Sequence, residues 1–275
     1  MGLMFLMTLA QWLVARIENS RLDEGQIVRM SVDEVMDCLD VSRRTAEEVV
    51  THACSRFAAK PISGIDLPSP RSFFGIDMFR PGSITEIYGP SGSGKTQLCL
   101  TVAASELFDR VFWLDTENTY RSERLVKIGG TTCLERIKVK QVRDFEVMLE
   151  TSHQLGHALS HITDSVLIVI DSIAMPLRDT SRLMERQKGI HGLAEALKKT
   201  GACILVTNHV IADFSRKDSF NPALGNTWSH AVNTRLLVFK DEVTGKRFIR
   251  PVKLTAVRES HDIEIGITDA GVILH

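Results

Sequence analysis

Apolar residues recur at helical spacing in the first part of the chain. Two stripes occur there, formed by Leu9, Trp12, Leu13 and Ile17 and by Ala46, Val49, Val50, Ala53 and Phe57. A stripe of this spacing is typical of an amphipathic helix. Ser31 and Glu34 have the spacing of a capping box, which predicts that a helix begins between them. We therefore predict a small helical N-terminal domain over residues 1–56.

Proline and glycine interrupt this pattern after the first domain. Residues 60–71 contain three prolines and one glycine, which disfavour regular structure. We predict a linker over residues 57–71 and a main domain over residues 72–275.

Short apolar runs of strand type alternate with helical segments in the main domain. The predicted strands cover residues 84–88, 111–115, 137–139, 166–171 and 202–207. The predicted helices cover residues 95–107, the regions near 123 and 147, and residues 185–199. This alternation predicts an α/β fold with a mainly parallel central sheet and helices on both faces. After Asn233, apolar runs at 236–239, 248–254 and about 263–267 predict antiparallel strands that extend the sheet.

Charge and cysteine content narrow the kinds of site to be expected. The 33 basic residues are balanced by 34 acidic ones, so affinity for a polyanion would have to come from local patches. The five cysteines include no C-x-x-C pair, which argues against a disulfide framework or a zinc site and indicates a reducing compartment. Residues 1–14 are apolar but shorter than the ~20 residues of a membrane span, and they lack signal-peptide features. We expect a buried helix there.

A glycine-rich loop lies between the first predicted strand of the main domain and the helix that follows. It matches the phosphate-loop pattern in full, with the residues Gly89, Pro90, Ser91, Gly92, Ser93, Gly94, Lys95 and Thr96. In this pattern backbone N–H groups surround phosphate oxygens, Lys95 reaches the β and γ phosphates, and Thr96 binds Mg²⁺. The alternative is a flexible turn, but a chance match is on the order of one in a hundred. The loop predicts ATP and Mg²⁺ as cofactors.

Two acidic residues end predicted strands of the same sheet. Asp171 follows a fully apolar run, and in phosphate-loop proteins this position holds Mg²⁺, although a strand-end aspartate can also be a turn or cap residue. Glu117 follows the strand at 111–115 and is a candidate general base that orients water on the γ-phosphate. The alternative for Glu117 is a solvated loop carboxylate.

These residues resemble the RecA-like recombinases of eukaryotes and archaea, in which the same loop runs into Lys-Thr-Gln. The likeness continues at residues 82–86, 115–125, 171–172 and 207–210 and covers about residues 80–275. The resemblance implies a RecA-like ATPase core in which Glu117 is the catalytic glutamate, assisted by Lys95. It also implies that Asp171 is the Mg²⁺ aspartate and that Gln97 belongs to the nucleotide site.

Two departures from the family pattern indicate a particular branch. Asn208 and His209 stand where a filament-forming recombinase has Asn-Gln, and Trp228 follows in a segment similar to the D-type paralogue, an accessory recombination factor. The family glutamine senses the γ-phosphate, so the resemblance assigns that contact to His209. With an unperturbed pKa of ~6.5, a histidine would make the response sensitive to pH. The alternative is a strand-end histidine without such a role.

Two short loops correspond to the DNA-binding loops of the family. They cover about residues 177–187 and 211–221, and the candidate DNA contacts in them are Arg178, Arg182, Arg186, Arg216 and Lys217. Nearby acidic residues cancel most of this charge, and such runs are usually solvated faces. Residues 235–258 carry seven cationic and two acidic residues, a net charge of +5. That stretch predicts either phosphate contacts or a lysine-rich edge strand.

The predicted linker begins with a segment similar to the subunit contact of the family. Family members use Phe-x-x-Ala, and this chain has Phe57, Ala58 and Ala59 followed by Lys60, so the motif is altered. A partner could still be bound by insertion of Phe57 and strand addition. Phe57 could equally be the last core residue of its helix.

The resemblance leads to two hypotheses for function. In the first, the chain is an ATP-binding recombinase paralogue with weak DNA-stimulated ATPase activity. It would act in homologous-recombination repair in the nucleus, in complexes with other paralogues, and would assist the recombinase filament on single-stranded DNA. In the second, it is an autonomous ATPase that forms its own filament. A third class, a small-molecule kinase, is disfavoured because no arginine-rich lid is present.

Overall fold

The computed structural model describes residues 11–20, 22, 24–27, 30–57, 71–160, 162–177, 183–212, 220–254 and 261–275. The chain divides into two compact units, Met1–Leu67 and Pro68–His275. The boundaries predicted from the sequence, 1–56, 57–71 and 72–275, stay a prediction.

The residues described in the first unit form helices joined by short non-helical segments. Its helices are α1 (Gln11–Ser20), α2 (Glu24–Ile27), α3 (Val32–Leu39) and α4 (Arg43–Phe57). The predicted capping box is confirmed, because Ser31 caps α3 and exchanges hydrogen bonds with Glu34. Leu13 and Ile17 are buried as their spacing predicts, but the assignment of Trp12 to the same stripe is wrong, since its side chain is 55% exposed.

The second unit contains the strands and the remaining helices. Its first strands are β1 (Arg71–Phe73), β2 (Ile76–Phe79), β3 (Ile84–Tyr88), β4 (Arg110–Asp115), β5 (Ile137–Gln141), β6 (Val166–Asp171) and β7 (Cys203–Asn208). The later strands are β8 (Val210–Ala212), β9 (Phe220–Pro222), β10 (Thr234–Lys240), β11 (Arg247–Lys253), β12 (Ile263–Thr268) and β13 (Gly271–Leu274). The helices are α5 (Lys95–Ala104), α6 (Ser122–Gly129), α7 (Phe145–Leu159), α8 (Leu183–Lys199) and α9 (Gly225–Ala231).

Nine strands form one sheet, in the order β13-β12-β11-β10-β3-β7-β6-β4-β5. The six strands from β10 to β5 are parallel, and β11, β12 and β13 are antiparallel. The predicted α/β fold is confirmed. One detail of the prediction is wrong, because β10 pairs in parallel with β3 and joins the parallel part of the sheet.

Apolar clusters cover both faces of this sheet, as the continuous apolar strands predict. Strand β6 shows the division clearly. Leu167 and Val169 belong to the cluster that includes α5, whereas Ile168 and Ile170 belong to the cluster that includes α8 and α9. Alternate residues of a strand point to opposite faces, so one apolar strand contributes to both cores.

The parallel strands end together at one edge of the sheet. Asp115 is in register with Asp171, and Tyr88 is in register with Asn208. Ligands of open α/β sheets bind outside the carboxyl ends of the strands, so this edge is the place to look for a site. No helix among the described residues is long and apolar enough to cross a membrane.

Candidate functional site

The glycine-rich loop joins the end of β3 to the start of α5 at the carboxyl edge of the sheet. Two of its glycines are required by close packing. A Cβ on Gly89 would lie 1.9 Å from the carbonyl oxygen of Val238, and a Cβ on Gly94, whose φ is 114°, would lie 2.9 Å from Cδ1 of Ile267. Only glycine tolerates both the positive φ and the contact at Gly94. The loop is therefore packed tightly against β10 and β12.

Lys95 lies at the first turn of α5 and folds back over the loop. Its Nζ donates to the carbonyl oxygens of Gly89 at 2.8 Å and Pro90 at 2.9 Å. Burial lowers the pKa of Lys95, opposed by the nearby charge of Asp171. The Ser93 hydroxyl is buried and has no hydrogen-bond partner among the described residues. A phosphate group would supply the missing acceptor, and the start of α5 adds favourable potential for an anion.

Asp171 is buried and is surrounded by three hydroxyl groups. Its Oδ2 accepts from Oγ1 of Thr96 and from Oγ1 of Thr119, both at 2.9 Å, and its Oδ1 accepts from Oγ1 of Thr207 at 2.5 Å. Burial raises the pKa of Asp171, against the lowering effect of these hydrogen bonds. The structure thus brings the two predicted Mg²⁺ ligands, Thr96 and Asp171, together. Sequence reasoning missed the contacts of Thr119 and Thr207 with this carboxylate.

The Thr96 and Asp171 pair fits a magnesium ion in its chemistry. Mg²⁺ prefers oxygen ligands and takes few of them from the protein when phosphates and water supply the others. Among the residues described, no cluster of three or more His, Cys, Asp or Glu side chains could hold a metal ion by itself.

The segment after β4 is held in place by Asp115, the last residue of that strand. The carboxylate of Asp115 accepts from the backbone N–H groups of Thr119 at 3.1 Å and Tyr120 at 3.2 Å. The hydroxyl of Thr116 donates to the carbonyl oxygen of Ser172 at 2.7 Å. These bonds fix the loop that carries Glu117 against the end of β6.

Glu117 faces Ser172 and His209 across the ends of three strands. Oε1 of Glu117 lies 2.5 Å from Nε2 of His209 and accepts a short hydrogen bond from Ser172. The bond with His209, more than any other interaction, lowers the pKa of Glu117 to about 2. The alternative of a solvated Glu117 does not hold, since its side chain is 26% exposed and carries these partners.

Gln97 is placed beside the loop through an arginine that sequence reasoning did not select. Oε1 of Gln97 accepts from Nε of Arg124 in α6 at 2.7 Å. The same guanidinium donates to the carbonyl oxygens of Asp269 at 2.9 Å and Thr268 at 2.5 Å. The family-like stretch at 115–125 includes Arg124, but only the fold brings this arginine to α5.

In the described part of the predicted basic stretch at 235–258, which ends at residue 254, three cationic side chains are paired with acidic ones. Arg235 is buried against Glu86, and Arg250 forms a bidentate pair with Asp262 at 2.6–2.7 Å. Lys246 is paired with Glu264 at 2.9 Å. The alternative of an edge strand is also wrong, because β12 and β13 lie beyond β11.

Several predicted contact residues cannot be placed. Arg178, Arg182, Arg216, Lys217, Ala58 and Ala59 lie outside the residues that the structure describes. Phe57 is the last residue of α4 and Arg186 lies in α8, but the side chains of both are outside the described part. The candidate DNA and partner contacts therefore stay predictions.

Comparison with known proteins identifies the family of this chain. The sequence model of the Rad51 family matches residues 75–273. The meiotic recombination protein DLH1 of Candida albicans is 33% identical over 186 residues, which are 58% of this chain and 57% of that protein. The DNA repair protein RAD51 homolog 4 of Bos taurus is 31% identical over 192 residues, 60% of this chain and 57% of that protein.

A third relative has a similar sequence identity to this chain. The meiotic recombination protein DMC1 of Saccharomyces cerevisiae is 30% identical over 186 residues, 58% of this chain and 55% of that protein. The matched region spans a little over half the length of these relatives. Because the family match covers most of the chain and includes the phosphate loop, Asp171, Glu117 and His209, this chain belongs to the Rad51 family.

Proposed function

We propose that this chain binds ATP with Mg²⁺ at the loop of Gly89 to Thr96 and hydrolyses it slowly. The observation that carries the proposal is the meeting of Thr96 and Asp171 at 2.9 Å, with Lys95 on the same helix. Around this loop lie two oxygen ligands, a cationic side chain and the Ser93 hydroxyl, which is buried without a hydrogen-bond partner in the described part of the chain. This combination suits a nucleoside triphosphate better than any other ligand class.

Each residue has a defined part in this proposal. Lys95 exchanges the carbonyl oxygens of Gly89 and Pro90 for phosphate oxygens, and Thr96 and Asp171 orient toward the cation. Thr96 and Asp171 would hold a bound Mg²⁺ ion, which would supply positive charge to offset that of the phosphates. Glu117 orients the water molecule that attacks the terminal phosphate and accepts its proton.

Slow hydrolysis follows from the environment of Glu117. A general base works best with a pKa near the working pH, and the bond with His209 lowers the pKa of Glu117 to about 2. This pair must loosen before Glu117 can accept a proton. We expect weak turnover, which DNA would stimulate if it separates the two side chains.

The biological role is recombination in DNA repair. The relatives include proteins named for DNA repair and for meiotic recombination. His209 in place of the family glutamine supports the accessory branch, in which the chain assembles with other paralogues, assists the recombinase filament on single-stranded DNA and works in the nucleus. The alternative is an autonomous filament-forming ATPase.

Substitution of Lys95 tests the nucleotide site. Lys95→Ala should weaken binding of a fluorescent ATP analogue by roughly 100-fold, because a charged hydrogen bond to phosphate is lost. Lys138→Ala is the matched control, since Lys138 is exposed on β5 and should leave the affinity unchanged. Equal affinity of both variants in an equilibrium titration would remove the basis of the proposal.

Size-exclusion chromatography with light scattering distinguishes the two biological hypotheses. With ATP and single-stranded DNA, an accessory subunit should stay small and enter a larger complex only when other paralogues are added. Growth of the purified chain alone into long assemblies on DNA would favour the autonomous filament instead.

A further inference from the structure

A fully buried carboxylate lies in the middle of the sheet, behind the proposed nucleotide site. Glu86 of β3 has no exposed surface. Its Oε1 accepts from Nδ2 of Asn208 at 2.7 Å and from Nε1 of Trp228 at 2.8 Å, and its Oε2 accepts from Nε of Arg235. The three donors come from β7, α9 and β10. A buried carboxylate is costly unless it is paired and hydrogen-bonded, and Glu86 meets both conditions.

Glu86 determines which way the side chain of Asn208 faces. A carboxylate only accepts hydrogen bonds, so it selects the amide nitrogen of Asn208, which also donates to the carbonyl oxygen of Ala223 at 2.9 Å. The amide oxygen is left to accept the backbone N–H of His209 at 2.8 Å. The opposite orientation would place two acceptors against each other at Glu86. The buried carboxylate therefore holds the backbone of His209 through one intervening residue.

The backbone of His209 is also held from its other side. Its carbonyl oxygen accepts from the N–H of Ala223 at 2.9 Å, and the ring then reaches Glu117 at 2.5 Å. A small rotation at Asn208 would change the reach of the ring toward Glu117. Geometry at the proposed catalytic residue thus depends on a bond network centred on Glu86.

The same carboxylate anchors helix α9. Trp228 lies in the middle of α9 and is fully buried, and its indole bonds directly to Glu86. Arg235 also donates a hydrogen bond from Nη1 to Oγ of Ser229, the residue after Trp228 in α9, at 2.9 Å. Nη2 of Arg235 is buried without a hydrogen-bond partner among the described residues. Helix α9 and the His209 segment therefore share one buried anchor.

We propose that Glu86 is a positioning residue that holds His209 through Asn208 and couples the proposed nucleotide site to helix α9. The inference rests on the proposed function for that site. The simpler explanation is a buried ion pair that only stabilises the fold. A purely structural pair would affect stability but would leave the folded protein's response to the γ-phosphate unchanged.

Two tryptophans provide a matched test. Trp228 and Trp113 are both fully buried, but the indole N–H of Trp113 has no hydrogen-bond partner among the described residues. Trp113 also lies in the other apolar cluster, on the opposite face of the sheet. Trp228→Phe and Trp113→Phe remove the same volume, but only the first removes a bond to Glu86. Urea unfolding of both variants verifies that the losses of packing are comparable.

The first readout is the ring of His209 and needs no nucleotide. Side-chain ¹⁵N spectra of the histidines, with the His209 signal assigned by its loss in His209→Gln, should change in Trp228→Phe. They should stay unchanged in Trp113→Phe. An unchanged His209 signal in Trp228→Phe, or equal changes in both variants, would overturn the positioning role.

The second readout compares a non-hydrolysable ATP analogue with ADP, both with Mg²⁺. The parent protein should prefer the analogue, and Trp228→Phe should reduce this preference by roughly 3- to 10-fold while the affinity for ADP is retained. Trp113→Phe should keep the preference. If both variants prefer the ATP analogue over ADP to the same extent, the coupling is refuted. If the parent protein binds neither nucleotide, the proposed function itself is refuted.

Ser229→Ala is the second variant if Trp228→Phe does not fold. This substitution removes only the acceptor of the hydrogen bond from Nη1 of Arg235. It should change the His209 signal and the preference for the ATP analogue over ADP in the same direction as Trp228→Phe, but by a smaller amount. Unchanged values in a folded Ser229→Ala protein would then count against the proposal.

Discussion

The two acidic residues of the site lie in contrasting environments. Asp171 is buried among the hydroxyl groups of Thr96, Thr119 and Thr207, and burial raises its pKa. Glu117 is partly exposed beside His209, and that contact lowers its pKa to about 2. The hydrogen-bond donors to Asp171 are neutral hydroxyls, with the charge of Lys95 nearby, whereas Glu117 is in direct contact with a histidine.

This difference indicates separate tasks for the two carboxylates. Asp171 accepts its hydrogen bonds from neutral hydroxyls, so its buried negative charge favours an added cation. A carboxylate paired with histidine is already compensated and becomes a proton acceptor only when the pair loosens. We therefore propose that Asp171 holds the cation and that Glu117 and His209 regulate turnover.

The largest effect is expected when the charge of Asp171 is removed. Asp171→Asn should weaken Mg²⁺-dependent nucleotide binding by roughly 100-fold, since a neutral amide is a poor Mg²⁺ ligand and its NH₂ group cannot accept from the threonines. Titration of a fluorescent ATP analogue with and without Mg²⁺ measures this. Asp164→Asn, just before the other end of β6, is the control and should retain binding. Equal Mg²⁺ dependence in both variants would contradict the assignment.

A second substitution separates turnover from binding at Glu117. Glu117→Gln should reduce ATP turnover by roughly 100-fold while the nucleotide affinity changes by less than about 2-fold, because a general base contributes to the chemical step. Steady-state phosphate release and equilibrium titration provide the two values. Glu123→Gln, an exposed change on α6, should alter neither. Normal turnover in Glu117→Gln would exclude this residue as the base.

Substitution of His209 tests whether the histidine restrains Glu117. His209→Ala removes the hydrogen bond that lowers the pKa of Glu117, so turnover should rise roughly 3- to 10-fold. Phosphate release at saturating ATP measures the change. A variant with unchanged or slower turnover would show that His209 does not restrain the base.

The smallest expected effect is a pH dependence of stability. The pKa of Glu117 is lowered on folding, so its contribution to stability is present above about pH 4.5 and is lost as the pH falls through about 2. The parent protein should exceed Glu117→Gln by about 1–2 kcal/mol in unfolding free energy at pH 6, and the difference should shrink at pH 3. Urea unfolding at the two pH values measures this. A difference that grows toward pH 3 would have the wrong sign.

The fold was predictable where the pattern is local. Strand β6 and the capping box before α3 appear as the sequence predicts, since a continuous apolar run and a Ser-x-x-Glu spacing depend on near neighbours. Strand β10 shows the limit of the pattern. The residues of β10 do not indicate whether this strand pairs in parallel or antiparallel with β3. That direction depends on how the chain returns to the sheet.

The candidate site was predictable in its contiguous parts only. Lys95, Thr96 and Asp171 belong to short patterns with known spacing. Thr119 and Thr207 are ordinary threonines in the sequence, and no local signal marks them as partners of Asp171. The sequence places Arg235 in a basic stretch with predicted phosphate contacts, but in the fold it is buried against Glu86, which is 149 positions away in the sequence.

The sequence alone determined the phosphate loop, the apolar strands and the acidic residues that end them, because these features depend on residues next to one another in the chain. The tertiary structure decided which side chains compensate each buried charge. Burial and pairing depend on strands that come from distant parts of the chain and end at one edge of the sheet. The environments of Asp171, Glu117 and Glu86 are therefore properties of the folded protein.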